Sequence, residues 1–174
     1  MLDVDPLSLT GEGWRHSLRG SDLLGRSRVP GDGRWQHGEQ VRGLYLADEA
    51  DTAIAEWYRL LAERGLPPQH AIPFDLHRWE LDLVLADLRT AERLQRVGLL
   101  PPRPTRRTWP PYQAIGDQLH REGWAGLIAP SAARPGHHVI CVFCDDWPPP
   151  AERARPVERR LLDEVPPPPT GMTA

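Results

Sequence analysis

An arginine framed by glycines, a tyrosine and a glutamate follow one another within residues 31–56, GDGRWQHGEQVRGLYLADEADTAIAE. A guanidinium grips phosphate or carboxylate in bidentate fashion. A tyrosine offers a ring for stacking and a hydroxyl for hydrogen bonding. A well-placed carboxylate stabilises a developing positive charge. Arg34 sits on a loop in which Gly31, Gly33 and Gly38 supply backbone freedom and close approach. Tyr45 falls on a strand predicted over 41–47, and Glu56 on a helix predicted over 51–64. Asp48 and Asp51 are both suited to cap that helix and Gly65 to stop it. The same stretch also reads as a hairpin-like turn before an ordinary surface helix, and spacing alone favours neither.

The elements that must position these residues are legible in outline. At 100° per residue, Ala53, Ile54, Trp57, Tyr58, Leu60 and Leu61 form one apolar arc of the helix, with Glu56 at its border, about 40° from Leu60. Residues 1–13 read as a loosely held arm and 14–18 as a short first strand that places Arg15 and His16 beside Trp14. Weak helical character follows over 21–28, ended by Pro30. Residues 70–88 are strand-rich, with Pro73 marking an edge or break. A short helix over 90–97 is capped by Thr90 and stopped by Gly98, and 100–111 reads as a loop. A second helix over 111–122 carries Tyr112, Ile115 and Leu119 on its apolar face. Strands over 126–131 and 139–144 close the pattern. The irregular alternation favours an α+β or mixed α/β domain over a doubly wound sheet. Beyond Trp147 proline and charge dominate. Residues 148–174 are expected to form a tail outside the core, with one helical piece over 157–165.

Composition narrows the chemistry. The 174 residues suit one domain. A formal charge of −3 gives no electrostatic case for nucleic acid. No apolar run approaches the roughly 18 residues of a membrane span. The acidic N-terminus lacks a secretory pattern, so a cytoplasmic location is expected. All 21 basic residues are arginine, which excludes lysine nucleophiles, Schiff bases and Walker-type phosphate loops. Cys141 and Cys144 lie in a predicted strand at an offset that sends their sulfurs to opposite faces, so buried free thiols are expected and no metal site.

Six landmarks occur in order: WRHS from Trp14, GRW from Gly33, LYLA from Leu44, AEW from Ala55, YQAIG from Tyr112 and GLIAPSAAR from Gly126. Together they resemble the RES domain, the toxin half of Xre–RES toxin–antitoxin pairs, over residues 14–144. The resemblance implies an ADP-ribosyltransferase-like fold, a single α+β domain with a central mixed, split sheet flanked by helices, and an enzyme that degrades NAD+, as a phosphorylase or a glycohydrolase. Some relatives are protein ADP-ribosylating enzymes, and an inactive RES-like binding module is a further alternative. Carried over by motif, Arg15, Arg34, Tyr45 and Glu56 match the family's active-site positions, and Ser131 matches the serine of its name. His16 stands where some members have an aromatic residue; Trp35 is kept, Gln36 replaces the usual asparagine and Asp32 a frequent glycine. Pro110 stands where some relatives carry a serine.

The resemblance implies that Glu56 bonds the nicotinamide ribose and stabilises a cationic, oxocarbenium-like sugar. Arg15 and Arg34 would hold the pyrophosphate and an incoming phosphate, in an order the sequence does not assign. Ser131 either donates to the substrate or caps the turn after its strand. NAD+ is then a substrate, with no separate cofactor and with inorganic phosphate as a candidate second substrate. The implied protein partner is an Xre-type antitoxin, and a homodimer within that complex is compatible.

Overall fold

Two fourteen-residue strands, β1 (Asp5–Leu18) and β3 (Phe74–Asp87), pair antiparallel along their whole length in this computed structural model, which describes residues 1–24 and 31–173. Along β3, Trp79, Leu81, Leu83 and Leu85 are buried and alternate with exposed or half-exposed Arg78, Glu80, Asp82 and Val84, the period of a strand with one face on a core. β2 (Arg42–Ala47), β4 (Gly126–Pro130) and β5 (His138–Cys144) form a second group, with β5 in the middle. The groups meet where β3 runs parallel to β4 at Ala86 and Asp87, and where Trp14 of β1 bridges Ala47 of β2. The expected split sheet is therefore a single mixed sheet closed on itself like a barrel. Closure follows from the lengths, because β1 and β3 overrun the shorter strands and reach the far group at two corners.

Leu44, Leu46, Trp79, Leu81, Leu85, Ile128, Ile140 and Val142 fill the interior. Outside, α2 (Ala91–Arg96) and α3 (Trp109–Arg121) cover Ala86, Leu88, Leu127, Ala129, Cys141 and Phe143. Cys141 and Cys144 thus belong to opposite faces, and both are buried free thiols. Burial raises both, Cys144 to about 11. α1 (Ala50–Arg64) packs Ala53 against Ala47 and Leu76, and stacks Trp57 on Phe74 at 4.5 Å.

Further sequence expectations need correction. Residues 5–13 are no loose arm but most of β1; their proline and glycines lower strand propensity, yet β3 supplies a complete ladder partner. Residues 157–165 are not helical. β6 (Ala154–Leu162) pairs with β3, and its Pro156 sits at a register shift, where an edge strand tolerates a missing N–H. The stretch after Trp147 is accordingly tied down. Tyr58 Oη donates to Pro166 O at 2.5 Å, Arg134 Nε to Thr170 O at 3.2 Å, and Thr173 N to Ala133 O at 2.7 Å. The α1 cap is Glu49, whose side chain makes no capping bond to the helix; Asp48 instead accepts from His138 N at 2.8 Å. Gly65, in the left-handed region at φ 63°, ends α1. The helix read over 21–28 lies partly outside the described residues, and 21–24 form only a turn.

Candidate active site

Arg34 is 8% exposed, and its Nη1 has no hydrogen-bond partner. It forms no salt bridge to a carboxylate among the described residues. Its guanidinium lies 5.7 Å from the Tyr112 ring and 6.0 Å from that of Trp109. Burial first, then the nearby Arg59 charge, pushes it below the ordinary arginine range, and Glu56 opposes this. A buried cation left with two rings and an idle N–H is costly unless an anion completes it.

The loop carrying Arg34 is built to hold one shape. Tyr45 Oη accepts from Trp35 N at 2.8 Å and donates to Gln36 Oε1 at 2.8 Å, while Gln36 Nε2 donates to Gly31 O at 2.9 Å. Gly33 is required by close approach, since a Cβ there would land on Tyr45 Oη and Gln36 Oε1. Trp35 is fully buried beneath the loop, edge-on to Tyr112 at 5.1 Å. Burial raises the Tyr45 phenol well above its usual range, so it acts as a neutral hydrogen-bonding group.

Glu56 projects from α1 into the same space, with both carboxylate oxygens engaged. Oε1 accepts from Ser131 Oγ at 2.8 Å and Oε2 from Arg59 Nε at 2.7 Å. Ser131 Oγ also accepts from Ala133 N and Arg134 N, each at 3.1 Å. The serine therefore caps the turn after β4, and its one proton goes to Glu56. Arg59 is bonded in turn to Glu63. It lines the cavity and was missed from the sequence; the available signal was its place one helical turn after Glu56.

Arg15 is half-buried and without a carboxylate partner among the described residues; its Nη1 makes only a long 3.5 Å contact to Tyr45 O. Burial lowers its affinity for a proton. His16, beside it, is pushed down to about 3 by burial and by the Arg15, Arg59 and Arg64 charges, so it is neutral near pH 7. A cavity of about 430 Å³ brings together Arg15, His16, Arg34, Trp35, Tyr45 and Glu56, with Arg59 and Trp109. Ser131 lies behind Glu56, and its neighbours Pro130 and Ala132 line the wall. A second hollow of about 560 Å³ adjoins through Arg15 and His16. Among the described residues, no three His, Cys, Asp or Glu side chains are grouped to hold a metal ion, and no helix is long and apolar enough to cross a membrane.

The RES domain family model matches residues 12–163, and the chain belongs to that family. No curated protein matches it. The fold is shared with a chain in the crystal structure of the M. tuberculosis MbcT–MbcA toxin–antitoxin complex, at a TM-score of 0.76 and 22% identity over 90% of this chain and 86% of the other. At that identity the likeness concerns the fold.

Proposed function

We propose that this chain is the toxin of a toxin–antitoxin pair and depletes NAD+ by cleaving the nicotinamide–ribose bond. The observation that carries the reading is Arg34, a buried cation without a carboxylate, sharing a cavity with the oriented carboxylate of Glu56. That pairing suits a substrate with an anionic pyrophosphate and a sugar that turns cationic as its bond breaks. Family membership and a fold shared with a member of a toxin–antitoxin complex support it.

In the proposed reaction the C1″–N bond breaks, and its electron pair leaves with nicotinamide, which becomes neutral. Glu56 stabilises the cationic ribose electrostatically. An oxygen of inorganic phosphate, or of water, forms the new bond at C1″; an unprotonated oxygen of the phosphate dianion gives ADP-ribose 1″-phosphate directly, whereas water gives ADP-ribose and releases one proton to solvent. Arg15 and Arg34 hold the pyrophosphate and the incoming anion in alignment. His16 is a neutral wall, and Tyr45 and Trp35 hold the loop. No separate cofactor enters. The antitoxin partner is of the Xre type.

The experiment is to incubate the purified chain with NAD+, with and without phosphate, and resolve products by mass spectrometry. Release of free nicotinamide is expected. Intact NAD+ with both additions would refute the reading, and label on protein would indicate transfer of ADP-ribose instead.

A further inference from the structure

Helix α3 carries a stripe no apolar core explains. Gln113, Gly116 and Asp117 stand at i, i+3 and i+4, on one face, and both polar side chains are buried. Buried amides and carboxylates need partners. Here the partners belong to the Arg34 loop. Gln113 Nε2 donates to Gly33 O at 2.9 Å, and Asp117 Oδ1 accepts from His37 N at 3.0 Å. Asp117 Oδ2 takes the His37 ring Nδ1 at 2.6 Å. Between these two bonds, the backbone of Trp35 lies so close to Gly116 that a Cβ there would land on Trp35 O. A glycine inside a helix weakens it, so its presence is explained by what must approach. The helix thus grips the loop at residues 33, 35 and 37, and residues 34 and 36 alternate with them. From the other side, Tyr45 and Gln36 tie the loop to itself.

We propose that the Gln113–Gly116–Asp117 face of α3 is a cradle whose role is to aim Arg34 at the substrate's phosphates. These three are positioning residues; none lines the cavity. Among the described residues no carboxylate pairs with Arg34 to orient it, so its direction follows from the backbone that carries it. Loop and helix are far apart in the chain, and the grip reaches the main chain at residues 33, 35 and 37, with the His37 ring adding one side-chain bond. A single methyl at position 116 would displace the loop. The inference rests on the reading of Arg34 as an anion ligand.

The test uses the full chain and inorganic pyrophosphate as probe. Gly116→Ala is expected to weaken pyrophosphate binding at least tenfold in calorimetry and to raise the KM for NAD+ more than it lowers kcat. It should also speed hydrogen exchange of the Trp35 amide at least tenfold. Gly11→Ala, at a position where a Cβ meets nothing within 4 Å, should alter none of these. If Gly116→Ala fails to fold, Gln113→Ala removes one bond without needing space and should shift the same readouts about fivefold. Wild-type binding and wild-type Trp35 exchange in the folded variant would overturn the cradle. Arg34→Ala separates the two claims: unchanged pyrophosphate affinity there would refute the anion reading, while Trp35 exchange in the α3 variants still judges the cradle.

Discussion

Arg34 and Arg134 are equally buried, each 8% exposed, and opposite in their surroundings. Arg134 Nη1 donates to Glu49 at 2.8 Å and to Thr52 at 3.2 Å, and its Nε reaches Thr170 O at 3.2 Å. It ties the start of α1, the turn after β4 and the C-terminal segment into one piece. Arg34 has two aromatic faces and an idle Nη1. The same side chain at the same depth is thus a structural fastener in one place and, in the proposed reading, an anion receptor in the other. What separates them is whether the fold itself supplies the counter-charge.

Cutting the chain after Trp147 tests the fastened side most severely. It removes β6 from β3, Pro166 O from Tyr58 and Thr170 O from Arg134. We expect the cooperative thermal transition followed by circular dichroism to disappear. A Tm close to that of the full chain would mean that the segment merely rests on the barrel.

On the receptor side, Glu56→Gln and Arg34→Ala should each lower NAD+ turnover on the order of a hundredfold or more. Arg34→Ala should hold or raise the Tm, because it removes an uncompensated buried charge, whereas Glu56→Gln gives up an acceptor facing Ser131 or Arg59 and should lower it only slightly. Turnover within a factor of a few of wild type in either variant would erase the contrast.

Arg134→Ala should do the reverse. Loss of its partly exposed pairs and the Thr52 bond is expected to cost about 1–3 kcal/mol in urea unfolding. Turnover should fall far less than in Glu56→Gln, because the backbone N–H of residue 134 still reaches Ser131.

Near neutral pH the smallest effect compares two histidines. The hydrogen bond to Asp117 raises His37 above its ordinary value of 6.5. Its contribution is complete below about pH 6.5 and is lost as pH climbs through the raised value. His16 runs oppositely: with a folded value of about 3 against 6.5, the unfolded chain binds its proton first, so stability from this site falls as pH drops through that window. Relative to wild type, His37→Ala should flatten the alkaline limb of a Tm–pH curve and His16→Phe the acid limb. Curves parallel to wild type would show that neither ring senses the fold.

Much of this was legible in the chain. The α2 stop signals, the strand that bears Tyr45, the helix that bears Glu56 and the opposed faces of Cys141 and Cys144 all follow from periods of 2 and 3.6 residues and from capping chemistry. These are local properties, written within a dozen residues of where they act. Arg34, Tyr45 and Glu56 stood out by type, but their spacing left an ordinary turn and surface helix equally open, and only the resemblance to the RES domain implied that they are site positions.

What the sequence by itself determined, then, was the inventory of groups and the elements that bear them. Only the tertiary structure decided how they are partnered. β1 and β6 are poor strands alone, with proline, glycine and charge, and become strands because β3 offers a ladder on each side. Ser131 left two readings open, and its single proton goes to Glu56 across 75 residues of chain. The contrast between Arg34 and Arg134 has the same origin. Whether a buried guanidinium meets a carboxylate depends on residues that chain separation hides and folding brings within 3 Å.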